Sequence, residues 1–111
     1  MRPRFVINKG ISKKVTAVSS HFTIGDTYVA AIYNRHDLSL KITAYGTCEA
    51  NETNNRPQVV FVWPKEETDK LKVGYATIEI YDIAKTMMIY REEFAVIRKN
   101  SLPLTDYNYE S

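Results

Sequence analysis

The sequence predicts an all-β fold, an antiparallel β-sandwich of about seven strands with one short helical crossover. Its composition is the first reason: the 111 residues include 9 Val, 10 Ile, 10 Thr and 13 aromatic side chains, which suit a pleated, half-buried surface. Apolar and polar residues also alternate with a period of two in 38–45 and 73–81. Finally, strands do not alternate with helices, which excludes a parallel α/β sheet.

The first half of the chain contains four strand candidates separated by polar or glycine-containing turns. A short apolar run precedes Lys9-Gly10, a weakly alternating segment that suits an edge or a half-exposed strand follows, and Gly25-Asp26 provides the next turn. The strand after this turn is apolar at both its odd and its even positions, which predicts that both of its faces are buried. The four candidates are 4–8, 13–20, 27–33 and 38–45.

The candidate strand 38–45 has the clearest alternation in the chain. Four apolar side chains share one parity and predict a dry face, while the polar parity predicts a solvated one. The predicted dry face consists of Leu38, Leu40, Ile42 and Ala44.

The second half predicts three more strands and one helical turn or two. Residues 49–57 are the most polar segment and predict a surface loop. Pro64 stands at a favourable first helical position, Glu66 and Lys70 are four apart, and Leu71 is the expected anchor to the core. The parity changes near Glu92-Glu93, which predicts a bulge. The strands are 58–63, 73–81 and 86–98, and the helical segment is 64–72.

These elements predict one domain, residues 1–101, followed by an irregular tail, residues 102–111. Fifteen basic and 13 acidic side chains give a net charge of +2, which does not favour nucleic acid as a partner. The basic start, with Arg2 and Arg4, leaves nucleic-acid binding as a third alternative, which would weaken steeply with salt. We expect no secretory signal and no membrane span.

The sequence shows no pattern that predicts catalysis, a metal site or a cofactor. The single Cys48 excludes an intrachain disulfide and is expected to be a structural thiol. The glycines are isolated, and His21 and His36 lie on different connections. Glu92 and Glu93 are adjacent on a predicted strand, so their side chains point to opposite faces and cannot share a proton as a catalytic pair of acids would. We therefore predict a non-enzymatic protein.

Tyrosines on polar positions are the remaining candidates for function. Tyr45, Tyr75 and Tyr81 lie at the outward parity of their strands, which fits a protein interface, a sugar platform, or ordinary cross-strand packing on a solvated face. Two tyrosines in an unpatterned tail are expected to dock on a neighbouring subunit. The complete set of predicted interface residues is Arg2, Arg4, Tyr45, Tyr75, Tyr81, Tyr107 and Tyr109.

Residues 59–80 carry a resemblance to a known family. An apolar strand ending in Trp63 and the Thr68-Asp69-Lys70-Leu71 turn are followed by a Gly74-Tyr75 strand entry. With Phe94-Ala95-Val96 and the opening 25–29, this resembles the immunoglobulin-like N-terminal domain of phage upper baseplate proteins and related fibre domains. The resemblance covers residues 5–98 and departs from the family in the polar loop 49–57.

The resemblance implies an immunoglobulin-like sandwich and a virion structural module without catalytic residues. We therefore expect a tail, baseplate or head-fibre subunit that is made in the host cytoplasm and incorporated in the virion. Its partners would be other virion proteins, in a homo-oligomer or a larger assembly, with no nucleic acid and no membrane. The alternative is a carbohydrate-binding module that uses the exposed tyrosines.

Overall fold

A computed structural model describes residues 6–98, apart from the side chain of Phe94. Within this range the chain forms eight strands and one short helix. They are β1 (Val6–Asn8), β2 (Lys13–Val18), β3 (Thr27–Asn34), β4 (Asp37–Thr47), β5 (Glu49–Ala50), β6 (Pro57–Trp63), α1 (Lys65–Thr68), β7 (Gly74–Asp82) and β8 (Met88–Arg98).

The strands form two sheets, which confirms the predicted β-sandwich. One sheet has the order β1-β8-β7-β3-β4 and the other β2-β6-β5. All pairs are antiparallel except β1 with β8, which is parallel, so the prediction of a wholly antiparallel sandwich is wrong at this edge. The immunoglobulin-like assignment stays a prediction.

The core lies between the two sheets. Val59, Phe61 and Trp63 of β6 are fully buried and face the inner parity of β7, whose Ile78 is also fully buried. The alternation in 73–81 predicts Ala76, Ile78 and Ile80 on the inner side and Thr77, Glu79 and Tyr81 on the outer side. The three inner positions are confirmed, since all belong to the core. The β4 chain passes so close to β6 that a Cβ on Gly46 would lie 2.5 Å from the Val60 carbonyl oxygen. Glycine at this position lets the two sheets pack together.

The start of β4 differs from the predicted alternation. Ile42 and Ala44 are buried as expected, but Leu38 is 66% exposed and Leu40 is only half-buried. The pairing with β3 shifts here, from Asn34 opposite Asp37 to Tyr33 opposite Lys41. This irregularity removes Leu38 from the inner face, because residues beyond a bulge no longer keep the parity of the strand.

The predicted crossover is a single helical turn held by side-chain hydrogen bonds. The buried Thr68 hydroxyl donates to the Ile11 carbonyl at 2.9 Å, and Lys9 Nζ donates to the carbonyls of Asp69 and Leu71. Leu71 is fully buried, which confirms its predicted role as the anchor. Lys70 pairs with Glu67 at 2.7 Å and not with Glu66, since one turn is too short for the expected spacing of four.

Two further expectations concern the connections. The parity change near Glu92-Glu93 is confirmed as an irregularity, because β7 and β8 shift register between Ala76 and Ile78. The segment 49–57 is not wholly a loop, since Glu49–Ala50 forms the short β5 against Gln58 and Pro57 of β6. The strand β2 pairs only with β6 among the described strands, as expected for an edge.

Candidate functional site

The candidate site lies on the face of the five-stranded sheet that points away from the core, here called the outer face. A depression of about 620 Å³ in this face, here called the outer concavity, crosses β4, β3, β7 and β8. Its lining residues are Val29, Ala31, Tyr33, Arg35, Leu38, Lys41, Thr43, Thr77, Glu79, Tyr81, Lys85, Arg91 and Glu93.

Strand register explains where the depression forms. Residues directly opposite each other on neighbouring strands place their side chains on the same face. Ala31 of β3 lies between Thr43 of β4 and Glu79 of β7, and Glu79 in turn lies opposite Arg91 of β8. The adjacent outward position on β3 is Tyr33. The small Ala31 side chain leaves space beside this longer neighbour, which produces the concavity.

The floor of the outer concavity is unusually well covered for an outer sheet face. Val29, Ala31, Thr77 and Glu79 are all less than a tenth exposed, although Val29 and Ala31 do not belong to the core cluster between the sheets. Longer side chains stand beside them on the same sheet, since Val29 lies opposite both Tyr45 and Tyr81. The prediction that β3 is covered on both faces is therefore confirmed.

A buried carboxylate organises the floor. Glu79 Oε2 accepts a hydrogen bond from Tyr33 Oη at 2.9 Å and forms an ion pair with Arg91 Nε at 3.0 Å. Glu79 Oε1 accepts a hydrogen bond from Tyr81 Oη at 2.5 Å. Burying a carboxylate is unfavourable unless hydrogen bonds and opposite charge replace its water, and here two phenols donate hydrogen bonds and one guanidinium supplies the opposite charge.

The electrostatics of this cluster favour the neutral phenol. The hydrogen bond to Glu79, together with partial burial, raises the pKa of Tyr81 to about 12. Arg91 also lies 3.7 Å from Glu93, so its guanidinium connects the buried carboxylate to an exposed one. The cluster is therefore a fixed arrangement of charges whose donors and acceptors are matched to each other.

The rim of the outer concavity is positively charged. The lining contains four cations, Arg35, Lys41, Lys85 and Arg91, and two acids, Glu79 and Glu93, so its net charge is +2. Among residues 6–98, only Arg91 of these cations forms an ion pair. The other three cations are exposed and therefore accessible to an anionic partner.

The structure places the three predicted strand tyrosines on this same face. Tyr45 and Tyr75 are 61% and 56% exposed, whereas Tyr81 is half-buried and bound to Glu79. Tyr45 and Tyr81 flank Val29 in one cross-strand row, about 10 Å apart at two strand spacings. Tyr75 lies six residues from Tyr81 along β7, or about 20 Å, so the three do not form one continuous row.

The other predicted interface residues lie outside the described part of the chain. They are Arg2, Arg4, Tyr107 and Tyr109. The site residues that sequence reasoning missed are Tyr33, Glu79, Arg91 and the rim cations Arg35, Lys41 and Lys85. These residues could have been found only from the pairing register of neighbouring strands, which places Glu79 opposite Arg91. The alternation within one strand does not contain this information.

The remaining reactive side chains have structural environments. Cys48 is buried, and this burial raises the pKa of its thiol, which keeps it in the unreactive protonated form. Its backbone N–H donates to the Asp26 carbonyl at 2.8 Å, at the join between β4 and β5. His21 and His36 are exposed. Within residues 6–98, no group of three His, Cys, Asp or Glu side chains could hold a metal ion.

Protein-family models and curated proteins provide no relatives of this chain. No model of a known protein family matches it, and no curated protein matches it. In the described part of the chain, no helix has the length and apolar character needed to cross a membrane.

Proposed function

We propose that the chain is a non-enzymatic structural subunit of a phage particle, in its tail, baseplate or head fibre, and that it attaches through the outer face. One observation carries this proposal: exposed aromatic and apolar side chains surround a buried, hydrogen-bonded polar centre. Leu38 lines the outer concavity, Met88 lies opposite Tyr81, and Tyr45 lies in the same cross-strand row as Tyr81; each is about half exposed or more. Protein interfaces combine such anchors with fixed polar groups.

The sheet edge supports a role in assembly. The 11-residue β4 is the outermost strand of its sheet and, within residues 6–98, pairs only with β3. An exposed edge strand offers a row of backbone donors and acceptors to another chain. Tyr45 stands on this strand, so an incoming partner would meet the edge and the outer face together.

The chemistry of the site supports a non-enzymatic role. Both oxygens of Glu79 already accept hydrogen bonds, which is how a carboxylate that fixes neighbouring side chains is arranged. A general base would instead direct a free oxygen toward a substrate. The protonated Cys48 thiol is enclosed in the core and cannot act as a nucleophile. We propose no cofactor, no nucleic acid and no membrane partner.

The assignment to a phage particle rests on the resemblance of residues 59–80 and 94–96, and the sandwich architecture is compatible with it. An antibody against the purified chain tests this assignment. In a lysate of infected host cells, we expect the antigen to sediment with intact particles through a density gradient. We also expect the antibody to label these particles in electron micrographs. Antigen that stays entirely in the particle-free fractions would contradict the proposal.

A second candidate function is carbohydrate binding, favoured by the shape and lining of the outer concavity. Its volume falls within the usual range for small-ligand sites, and phenols, carboxylates and a guanidinium line it. A glycan array followed by titration of any hit tests this alternative. Binding that Tyr81→Phe and Tyr45→Ser both weaken would favour a sugar-binding module over an assembly subunit.

A further inference from the structure

We propose that the outer concavity receives residues 102–111 of a second copy of this chain. This inference rests on the proposed function, since it names the partner segment of an assembly subunit. The segment, LPLTDYNYES, contains two acids, two tyrosines and two leucines, and no lysine or arginine. It therefore offers negative charge together with large apolar and aromatic side chains.

Charge complementarity is the main argument. The lining of the outer concavity carries a charge of +2, and the side chains of the segment carry −2 from Asp106 and Glu110. Within residues 6–98, Arg35, Lys41 and Lys85 form no ion pair, so covering them with a neutral partner would remove their water without replacing it by opposite charge. An acidic partner replaces that water with opposite charge, so this rim favours an acidic segment over neutral or basic ones.

The exposed rim also suits the apolar part of the segment. Leu38 is 66% exposed at one end of the outer concavity, and Tyr45 is 61% exposed beside Val29. The segment provides Leu102 and Leu104 before its acidic and aromatic residues. Burial of exposed leucine and tyrosine against such residues is favourable because it removes apolar surface from water on both sides.

The length of chain beyond β8 is sufficient to reach another subunit. Strand β8 ends at Arg98, and residues 99–111 span up to about 45 Å when extended. Five strands at about 4.8 Å spacing make a sheet only about 20 Å wide, so the segment can extend from one subunit across the outer face of another. In a multi-copy particle, such exchanged segments would act together and strengthen each other.

Variants of the full chain in which the charge of either the outer concavity or the tail is reversed test the inference. The face variant is Lys41→Glu/Lys85→Glu, and the tail variant is Asp106→Lys/Glu110→Lys. Sedimentation velocity over a concentration series measures self-association. We expect wild type to self-associate and each variant alone to associate about tenfold more weakly or worse, because like charges then meet. A mixture of the two variants should form a 1:1 complex, since an acidic face then meets a basic tail.

A matched control changes two lysines elsewhere. Lys14→Glu/Lys70→Glu makes the same change in net charge on β2 and beside α1, away from the outer face, and should leave self-association unchanged. Circular dichroism and the unfolding midpoint confirm that every variant is folded. Added salt should weaken the wild-type association.

Three outcomes would overturn the inference. If the wild type is monomeric at every concentration, copies of the chain do not dock on each other. If the mixture of the two variants fails to associate, docking between copies is likewise excluded; this result is expected if each segment covers its own subunit. Association that the face variant weakens and the tail variant does not would assign the outer concavity to another partner. None of these results bears on sedimentation with phage particles, so the proposed function can survive or fail separately.

Discussion

Removing the Glu79 carboxylate is the sharpest test of the site's architecture. In Glu79→Ala, the hydroxyls of Tyr33 and Tyr81 lose the acceptor that they reach at 2.9 and 2.5 Å. A hydrogen bond to a charged group contributes about 1.5–3 kcal/mol, and the lower end applies where water from the concavity can replace the acceptor. Two such bonds predict a loss of about 3 kcal/mol in the free energy of unfolding. Loss of the ion pair with the half-exposed Arg91 adds only a little to this decrease in the free energy of unfolding.

Urea unfolding followed by tryptophan fluorescence measures this loss, since the single Trp63 is fully buried in the core. With a slope of about 1.5 kcal/mol per molar urea, the midpoint should fall by about 2 M. Glu93→Ala is the matched control, because that glutamate lines the same concavity but is half exposed and lies 3.7 Å from the Arg91 guanidinium. Equal midpoints for the two variants would refute the argument that Glu79 holds the floor together.

Three further predictions test the surroundings of the site. Gly46→Ala should destabilise the fold by about 1–3 kcal/mol, because its Cβ would overlap the backbone of β6; an unchanged urea midpoint would contradict this close approach. Asn34→Ala should cost about 2 kcal/mol, since its amide exchanges two hydrogen bonds with the Lys72 backbone, at 2.8 and 2.9 Å; thermal unfolding checks this value. The pKa of Tyr81 is about 12 in the folded chain and about 10 in the unfolded chain. The hydrogen bond of this phenol to Glu79 therefore stabilises the fold fully below pH 10, and this stabilisation is lost as the pH rises through 12. Ultraviolet titration of wild type against Tyr81→Phe should show this late-titrating phenol, and its titration near pH 10 would contradict the hydrogen bond to the carboxylate.

Local patterns predicted those parts of the fold that depend on local structure. The alternation in β7 correctly placed Ile78 and Ile80 in the core, because an uninterrupted strand keeps its parity. The parity change at Glu92-Glu93 correctly located the irregularity of β8 for the same reason. Pro64, with a polar segment and Leu71 behind it, indicated one or two helical turns anchored to the core, and the structure has one.

The failures depend on contacts between distant parts of the chain. Leu38 continues the alternation of β4 perfectly, but the shift in pairing with β3 moves it to the surface. The parallel pairing of β1 with β8 joins residues about 90 positions apart, and no local pattern encodes it. Glu79 was predicted to face outward, which is correct, but its burial depends on Tyr33, Tyr81 and Arg91 from its own and neighbouring strands. A charged residue at a polar parity ordinarily indicates only a solvated face.

The central claim is that the outer face of the five-stranded sheet becomes buried when the chain associates. Covalent labelling of lysines with a membrane-impermeant acetylating reagent, followed by mass spectrometry, tests it directly on the full chain at low and high concentration. Lys41 and Lys85 line the outer concavity, while Lys14 and Lys70 lie on β2 and beside α1. We predict that the labelling rate of the first pair falls at high concentration while that of the second pair is unchanged. Equal rates for both pairs, or protection of Lys14 and Lys70 instead, would contradict the claim.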